Sequence, residues 1–296
     1  MVQITMVDHM LYFELFFQGI VQGSIYALIA LGLTLVYGLL RILHVAHAAL
    51  FTLGGYVGVL LTNATGNFPM AMLASMLLVG LVGMAVYKIV YEPLLGKPPF
   101  IALIASIALF IASEEVFRII FGPYGQSYIN PPLQGYFELP GGFFLKYAEA
   151  LVIGLSVVML TFLGWLSGNT RTGISWRATV KDPSMAQAFG VNIQKVRYMN
   201  FFVGSALAGA AGVLVALLNN LVEPSMGSVP SYKALAIIVL GGLGSVRGTL
   251  LAAMAIGIIE SFGTIYLGQY LDRDALAFAF LIVVLMVRPQ GLLGAK

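Results

Sequence analysis

Two histidines, His44 and His47, stand one helical turn apart in an otherwise apolar stretch. That spacing lets two imidazoles share a metal, yet no Asp or Glu lies near them in sequence and the chain has no cysteine, so no tetrahedral site can be completed locally. No metal and no cofactor is expected. Glu260 lies inside the apolar run 248–267, and a carboxylate held in hydrocarbon costs a few kcal/mol or more, which makes it a functional suspect. Glu114, Glu115 and Arg118 form a second charged group, but Glu114 and Arg118 at i,i+4 can simply pair on one helix face. Glu223 precedes Pro224 at the end of another apolar run, where its plain reading is an ordinary solvated loop charge. Neither H-E-x-x-H nor G-x-S-x-G occurs, so nothing points to intramembrane hydrolysis.

The elements that position these residues are membrane helices. Of the 296 residues 60% are hydrophobic and 9% charged, against about a quarter charged in a soluble domain. About 20 apolar residues cross a bilayer core. Runs near 11–40, 46–62, 69–91, 100–121, 148–167, 196–222, 232–246, 248–267 and 272–288 predict eight or nine crossings. The fold class is an all-α, multi-pass membrane bundle, read as one transmembrane domain over 1–296, with broken or short helices near 41–50 and 232–248. The run from Leu11 is too long for a signal-peptide core and predicts the first span.

Orientation follows Lys and Arg in the short loops. Segment 168–197 carries Arg171, Arg177, Lys181, Lys195 and Arg197 and is assigned to the cytoplasm; the Pro-, Gly- and Tyr-rich stretch 122–147 is assigned to the opposite face. Nine crossings then place the N-terminus outside, and eight reverse that. The net charge of +3 is small and scattered, which argues against nucleic acid. Glycines recur as Gly19-x-x-x-Gly23, Gly209-x-x-Gly212 and Gly241-Gly242-x-Gly244, spacings that let membrane helices approach closely. Tyr26 and Tyr37 fall on one helix face, where interfacial anchoring is the common reason for tyrosine.

Within 168–197, Asp182 can cap a short helix with Pro183 at its first position, and Gly190 can stop it. Such a helix between spans has the shape of a docking element, or it can lie passively among headgroups. Arg41 to His47 reads as a break exposing backbone near a transport path, or as a plain turn. Gly241, Gly242 and Gly244 read as a second break or as close packing.

The wording resembles the branched-chain amino acid permease family of ABC importers. Five blocks carry the resemblance in order: GSIYALIALGLTLVYGLLRILHVAHAALFTLGGYVG at 23–58, RATVKDPSMAQAFGVN at 177–192, VEPSMG at 222–227, LGGLGSVRGTL at 240–250 and RPQGLLG at 288–294. Where that family usually shows Asn-Phe-Ala-His-Gly, this chain has His44-Val45-Ala46-His47-Ala48. The resemblance implies an inner-membrane permease subunit without enzymatic activity of its own. It implies as partners a second related permease, two ATP-binding subunits, an external substrate-binding protein and the surrounding lipid. It makes Asp182, Pro183, Ala186 and Gly190 the coupling segment toward the ATPases, Glu223 receptor-facing, and His44, His47, Gly241, Gly242, Gly244 and Glu260 candidates for the path. Related permeases carry urea, amides or aromatic acids, which remain alternative cargoes. An ion-coupled transporter predicts acidic residues paired at the midplane and inverted repeats; Glu260 stands isolated in sequence and no repeat is visible.

Overall fold

The computed structural model describes residues 2–139 and 143–293. Long apolar helices account for most of it, because in hydrocarbon every backbone amide needs an internal partner. In chain order they are α1 (Val2–Leu40), α2 (His47–Thr65), α3 (Phe68–Val86), α4 (Pro99–Phe121), α5 (Tyr147–Asn169), α6 (Arg171–Lys181), α7 (Pro183–Ala188), α8 (Ile193–Asn219), α9 (Ser228–Gly241), α10 (Val246–Leu267) and α11 (Arg273–Val287). A π-turn over Tyr87–Tyr91 and a 3-10 turn over Glu92–Leu94 extend α3. Strands β1 (Tyr136–Leu139) and β2 (Phe143–Lys146) form an antiparallel hairpin with Tyr136 opposite Lys146.

Among the described residues, seven helices have the length and apolarity to cross a membrane. The eight or nine runs of the sequence reading are recovered as these seven plus α9, with 14 residues, and α11, with 15. At 1.5 Å per residue these two reach only about 21 to 23 Å, short of a full bilayer core.

Burial ranks the helices. In α1 and α8, 78% of the most apolar stretch is buried, against 17% in α4 and 22% in α5. The centre is therefore the contact of α1 and α8, flanked by α2, α3, α9 and α10. Glycine brings these backbones together: Gly32 of α1 lies on Gly204 of α8, Gly54 of α2 on Gly209, and Gly19 and Gly23 of α1 on α10 at Ile258 and Met254. Gly19, Gly23, Gly209 and Gly212 of the sequence reading are thus helix contacts, whereas Gly242 and Gly244 lie in a turn. Interhelical hydrogen bonds add to them, from Ser75 Oγ to Gly54 O at 2.9 Å, Asn200 Nδ2 to Leu35 O at 3.2 Å and Ser261 Oγ to Leu15 O at 2.6 Å.

A Cβ at position 54 would meet the Gly209 backbone, which cannot retreat as a side-chain tip can. Gly54→Val is expected to destabilise the bundle by about 3 kcal/mol, the upper part of the overpacking range. Size-exclusion of detergent extracts should show loss of the monodisperse protein; an unchanged profile and melting temperature would show that α2 and α8 separate freely.

The two ends differ in character. At one end α5 and α6 meet the turn after α9, so Arg177, Lys181 and Arg247 line one surface depression. This basic end is the one that the Lys and Arg count assigns to the cytoplasm. At the other end the loop after α4 joins the loop after α8, with Gln126 and Val222 exchanging two backbone hydrogen bonds of 2.8 Å, while Asn63 of α2 bonds Ser127 and Ile129.

Candidate functional site: a charged cavity floor and a short helix at the basic end

The end opposite the basic one holds a cavity of about 560 Å³ between α1, α8, α9 and α11. Ile25, Val215, Leu218, Met226 and Val229 supply apolar wall; Tyr26, Lys233, Arg273 and Asp274 supply charge and hydroxyl. Glu223, exposed in the loop before α9, lies on the rim.

Glu260 of α10 is fully buried at this floor and is not isolated as the sequence suggested. Lys233 Nζ of α9 lies 2.8 Å from Glu260 Oε1 and 2.7 Å from Asp274 Oδ1 of α11. Arg273 Nε donates to Glu260 Oε2 at 2.9 Å, and Tyr26 of α1 donates its hydroxyl to the same oxygen at 2.7 Å. Lys233 also donates to the Tyr26 oxygen at 3.1 Å and lies 5.3 Å from its ring centroid. Four helices converge here because each charge would otherwise be stranded in an apolar interior. Tyr26 is therefore a buried member of a charge network, where the sequence favoured interfacial anchoring.

The network is graded by exposure. Lys233 and Glu260 have 3% and 0% of their side chains exposed, whereas Arg273 and Asp274 have 39% and 36%. The inner pair is thus sealed and the outer pair faces the cavity. Sequence reasoning singled out Glu260 but missed Lys233, Arg273 and Asp274. The signal for Lys233 was present, a lone lysine between Tyr232 and an apolar helix.

His44 and His47 lie elsewhere, at the junction of α1 and α2. The chain reverses at Arg41, whose φ is +52°, and α2 starts at His47 with no side-chain cap. Ser106 of α4 compensates by accepting from Ala46 N at 2.9 Å. Both histidines are buried. His44 Nδ1 shares a 2.5 Å hydrogen bond with the Tyr91 hydroxyl, and its ring stands 5.6 Å from that of His47 and 5.5 Å from Phe201. Neither His47 nitrogen has a hydrogen-bond partner among the described residues, and the ring abuts Gly32. No group of three metal-ligating side chains occurs among the described residues.

The second break lies at the basic end. Gly242 and Gly244 have φ of +98° and +82°, so α9 and α10 are joined by a turn that a side chain would strain. Gly241 packs on Gly248. The segment after α11 returns across this turn, with Leu292 N donating to Leu240 O at 2.7 Å and Leu293 N to Gly241 O at 3.2 Å. These glycines therefore close the basic end of the α9–α10 hairpin, away from the charged cavity.

Segment 168–197 folds as two helices. Thr170 caps α6 by accepting from Gly173 N, and Arg177 donates to the Ser167 carbonyl, anchoring α6 to the end of α5. Asp182 then caps α7, accepting from Met185 N at 2.9 Å and from Ser184 Oγ at 2.7 Å, with Pro183 first in the helix. Val191 N bonds Ala186 O while Gly190 N bonds Gln187 O, closing α7 through Gly190 at φ +84°. That paired pattern is the glycine-dependent helix stop. Ala186 is buried, whereas Met185 is 56% and Phe189 83% exposed. Phe189 is a further candidate that the sequence reading did not single out.

The Met185 amide, then the Ser184 hydroxyl, hold the Asp182 carboxyl below its usual range. A depressed carboxylate stabilises the fold above its ordinary pKa, and that contribution is lost as pH falls through the lowered value, so the cap is complete at neutral pH. Asp182→Ala should speed amide exchange across residues 184–189 and leave α5 and α8 unchanged; unchanged exchange would show that α7 holds without its cap.

A family profile described as "Branched-chain amino acid transport system / permease component" matches residues 15–287. The chain is 30% identical to the high-affinity branched-chain amino acid transport system permease protein BraD of Pseudomonas aeruginosa, over 96% of each protein. It is also 30% identical to the corresponding LivH protein of Escherichia coli, over 98% of each. With E. coli LivM it shares 27% identity over 91% of this chain and 68% of that protein. Among solved structures it resembles PsaBC from Streptococcus pneumoniae in complex with Fab, at a TM-score of 0.54 and 12% identity, covering 98% of this chain and 97% of the other, a likeness of fold.

Proposed function

This chain belongs to the branched-chain amino acid ABC permease family, and from that premise we propose that it carries branched-chain or other hydrophobic amino acids across the inner membrane. As a multi-pass permease subunit it catalyses no reaction of its own. In the proposed assembly it pairs with a second, related permease, draws on two ATP-binding subunits, and receives cargo from a substrate-binding protein outside the membrane.

The observation that carries this reading is the polarity of the two ends. A cavity with apolar walls and a charged floor opens at one end, and α7, with Met185 and Phe189 exposed, projects at the other. Pro183 and Ala186 lie in α7, Asp182 caps it and Gly190 ends it, and together they hold the shape it offers to an ATPase. Glu223 on the cavity rim suits the receptor side. His44 and His47 sit where α1 reverses into α2, and the glycine turn ties α9 to α10; both are joints at which the bundle can exchange two packings. ATP-driven closure of the ATPases would bias one packing over the other through α7.

The test is uptake of labelled L-leucine into proteoliposomes holding the complete importer. Uptake should require ATP hydrolysis, the receptor and both permeases. Uptake without ATP or without receptor, or uptake of urea in place of amino acids, would overturn the assignment.

A further inference from the structure

We propose that Arg273 and Asp274, adjacent at the start of α11, read the two charges of a zwitterionic amino acid in the outer cavity and, in doing so, release α11 from α9 and α10. The proposal rests on the amino acid cargo inferred above and assigns the permease a recognition site of its own.

The geometry provides a charge-balanced exchange. In this structure α11 is tied inward twice, by Asp274 to Lys233 of α9 at 2.7 Å and by Arg273 to Glu260 of α10 at 2.9 Å. The tied groups differ in access: the α11 side chains are more than a third exposed at the cavity, whereas Lys233 and Glu260 have almost no exposed surface. An entering ammonium replaces Lys233 on Asp274, and the entering carboxylate replaces Glu260 on Arg273. Lys233 and Glu260, already 2.8 Å apart and joined by the Tyr26 hydroxyl, keep each other. No buried charge is left unpaired, and two outer ion pairs are replaced by two new ones.

The same count sets specificity. A ligand with only an ammonium would take Asp274 while Arg273 stays tied to Glu260, and a ligand with only a carboxylate would take Arg273 while Asp274 stays tied to Lys233; either leaves α11 half held and the floor with a net charge. A side chain bearing a third charge would meet Ile25, Val215, Leu218 and Val229, which cannot pair it. The ligand class is thus an α-amino acid with an apolar side chain. A neutral amide such as urea has no full charge to exchange with either tie.

The experiment measures binding of L-leucine, isopentylamine and 4-methylpentanoate to the assembled permease–ATPase complex in nanodiscs, without receptor. The wild type should bind L-leucine at least about tenfold more tightly than either single-charge analogue. Asp274→Asn should lose preference for L-leucine over the acid, and Arg273→Gln should lose it over the amine. Asp274→Asn is isosteric and Arg273→Gln shortens a part-exposed side chain, and thermal melting of each complex confirms folding. As a second readout, spin labels on α9 and α11 should report a longer separation with L-leucine than without.

Equal binding of the three probes, no binding of L-leucine, or unchanged preferences in both variants would overturn the proposal. The wild-type uptake assay separates the two levels. L-leucine uptake without discrimination by the bare complex sinks the latch alone, whereas failure of ATP-dependent amino acid uptake sinks the cargo reading and the latch with it.

Discussion

Glu260→Gln should abolish L-leucine uptake and destabilise the permease by about 3 kcal/mol, the lower end of the cost of breaking a buried ion pair. The substitution keeps the side-chain shape and removes one negative charge from a site with no exposed surface. Lys233 and Arg273 then face Asp274 alone, leaving one excess positive charge. The lower end applies because Asp274 remains 2.7 Å from Lys233 and Arg273 can turn toward the cavity. Combining Glu260→Gln with Lys233→Met restores the balance, so the double variant should recover at least about 1 kcal/mol of the loss without recovering transport. Melting curves of the purified proteins give the double-mutant cycle. Additive losses would show that the two side chains act independently despite their 2.8 Å contact.

Phe189→Ala should leave folding intact and weaken ATPase engagement roughly thirtyfold, as expected when a central aromatic anchor worth about 2 kcal/mol is truncated. The ring is 83% exposed at the tip of α7, and its removal empties no core position. Met185→Ala should have a smaller effect of the same sign. Co-purification of the ATP-binding subunits and substrate-stimulated hydrolysis are the readouts. Wild-type co-purification and stimulation in Phe189→Ala would remove α7 as the coupling surface. Gly190→Ala offers a contrast, since nothing lies within 4 Å of the added carbon and its effect comes only from backbone strain at φ +84°.

The sequence showed α7 almost completely, because a capping Asp, an N1 Pro and a terminating Gly are local signals that need no tertiary partner. The membrane class was equally legible, since length and apolarity are properties of single segments. The α6 helix was missed although Thr170 is a local cap signal for it, and the exposure of Phe189 was not read because exposure is settled by what packs nearby. Glu114 and Arg118 pair as their spacing suggested, at 3.6 Å, although Arg118 is closer to Glu115, at 2.7 Å.

The charge network was the least legible part. Its members come from α1, α9, α10 and α11, and no spacing along the chain relates Tyr26 to Glu260 or Lys233 to Asp274. Glu260 attracted notice because an acid in an apolar run is conspicuous. Lys233 sits in a stretch read as a possible helix break, and there its cost in hydrocarbon was overlooked. The mark expected of an ion-coupled transporter is a pair of acids at the midplane; here Glu260 and Asp274 are instead each held by a cation, Lys233 bridging both and Arg273 joining Glu260.

The cancellation of charge at the cavity floor has an electrical consequence. Lys233 and Arg273 offset Glu260 and Asp274, so shifting this group along the membrane normal moves no net charge. A membrane potential does about 2.3 kcal/mol of work per elementary charge per 100 mV, and on this group it does none. Depolarising vesicles with an ionophore should therefore leave the rearrangement of α11 unaltered.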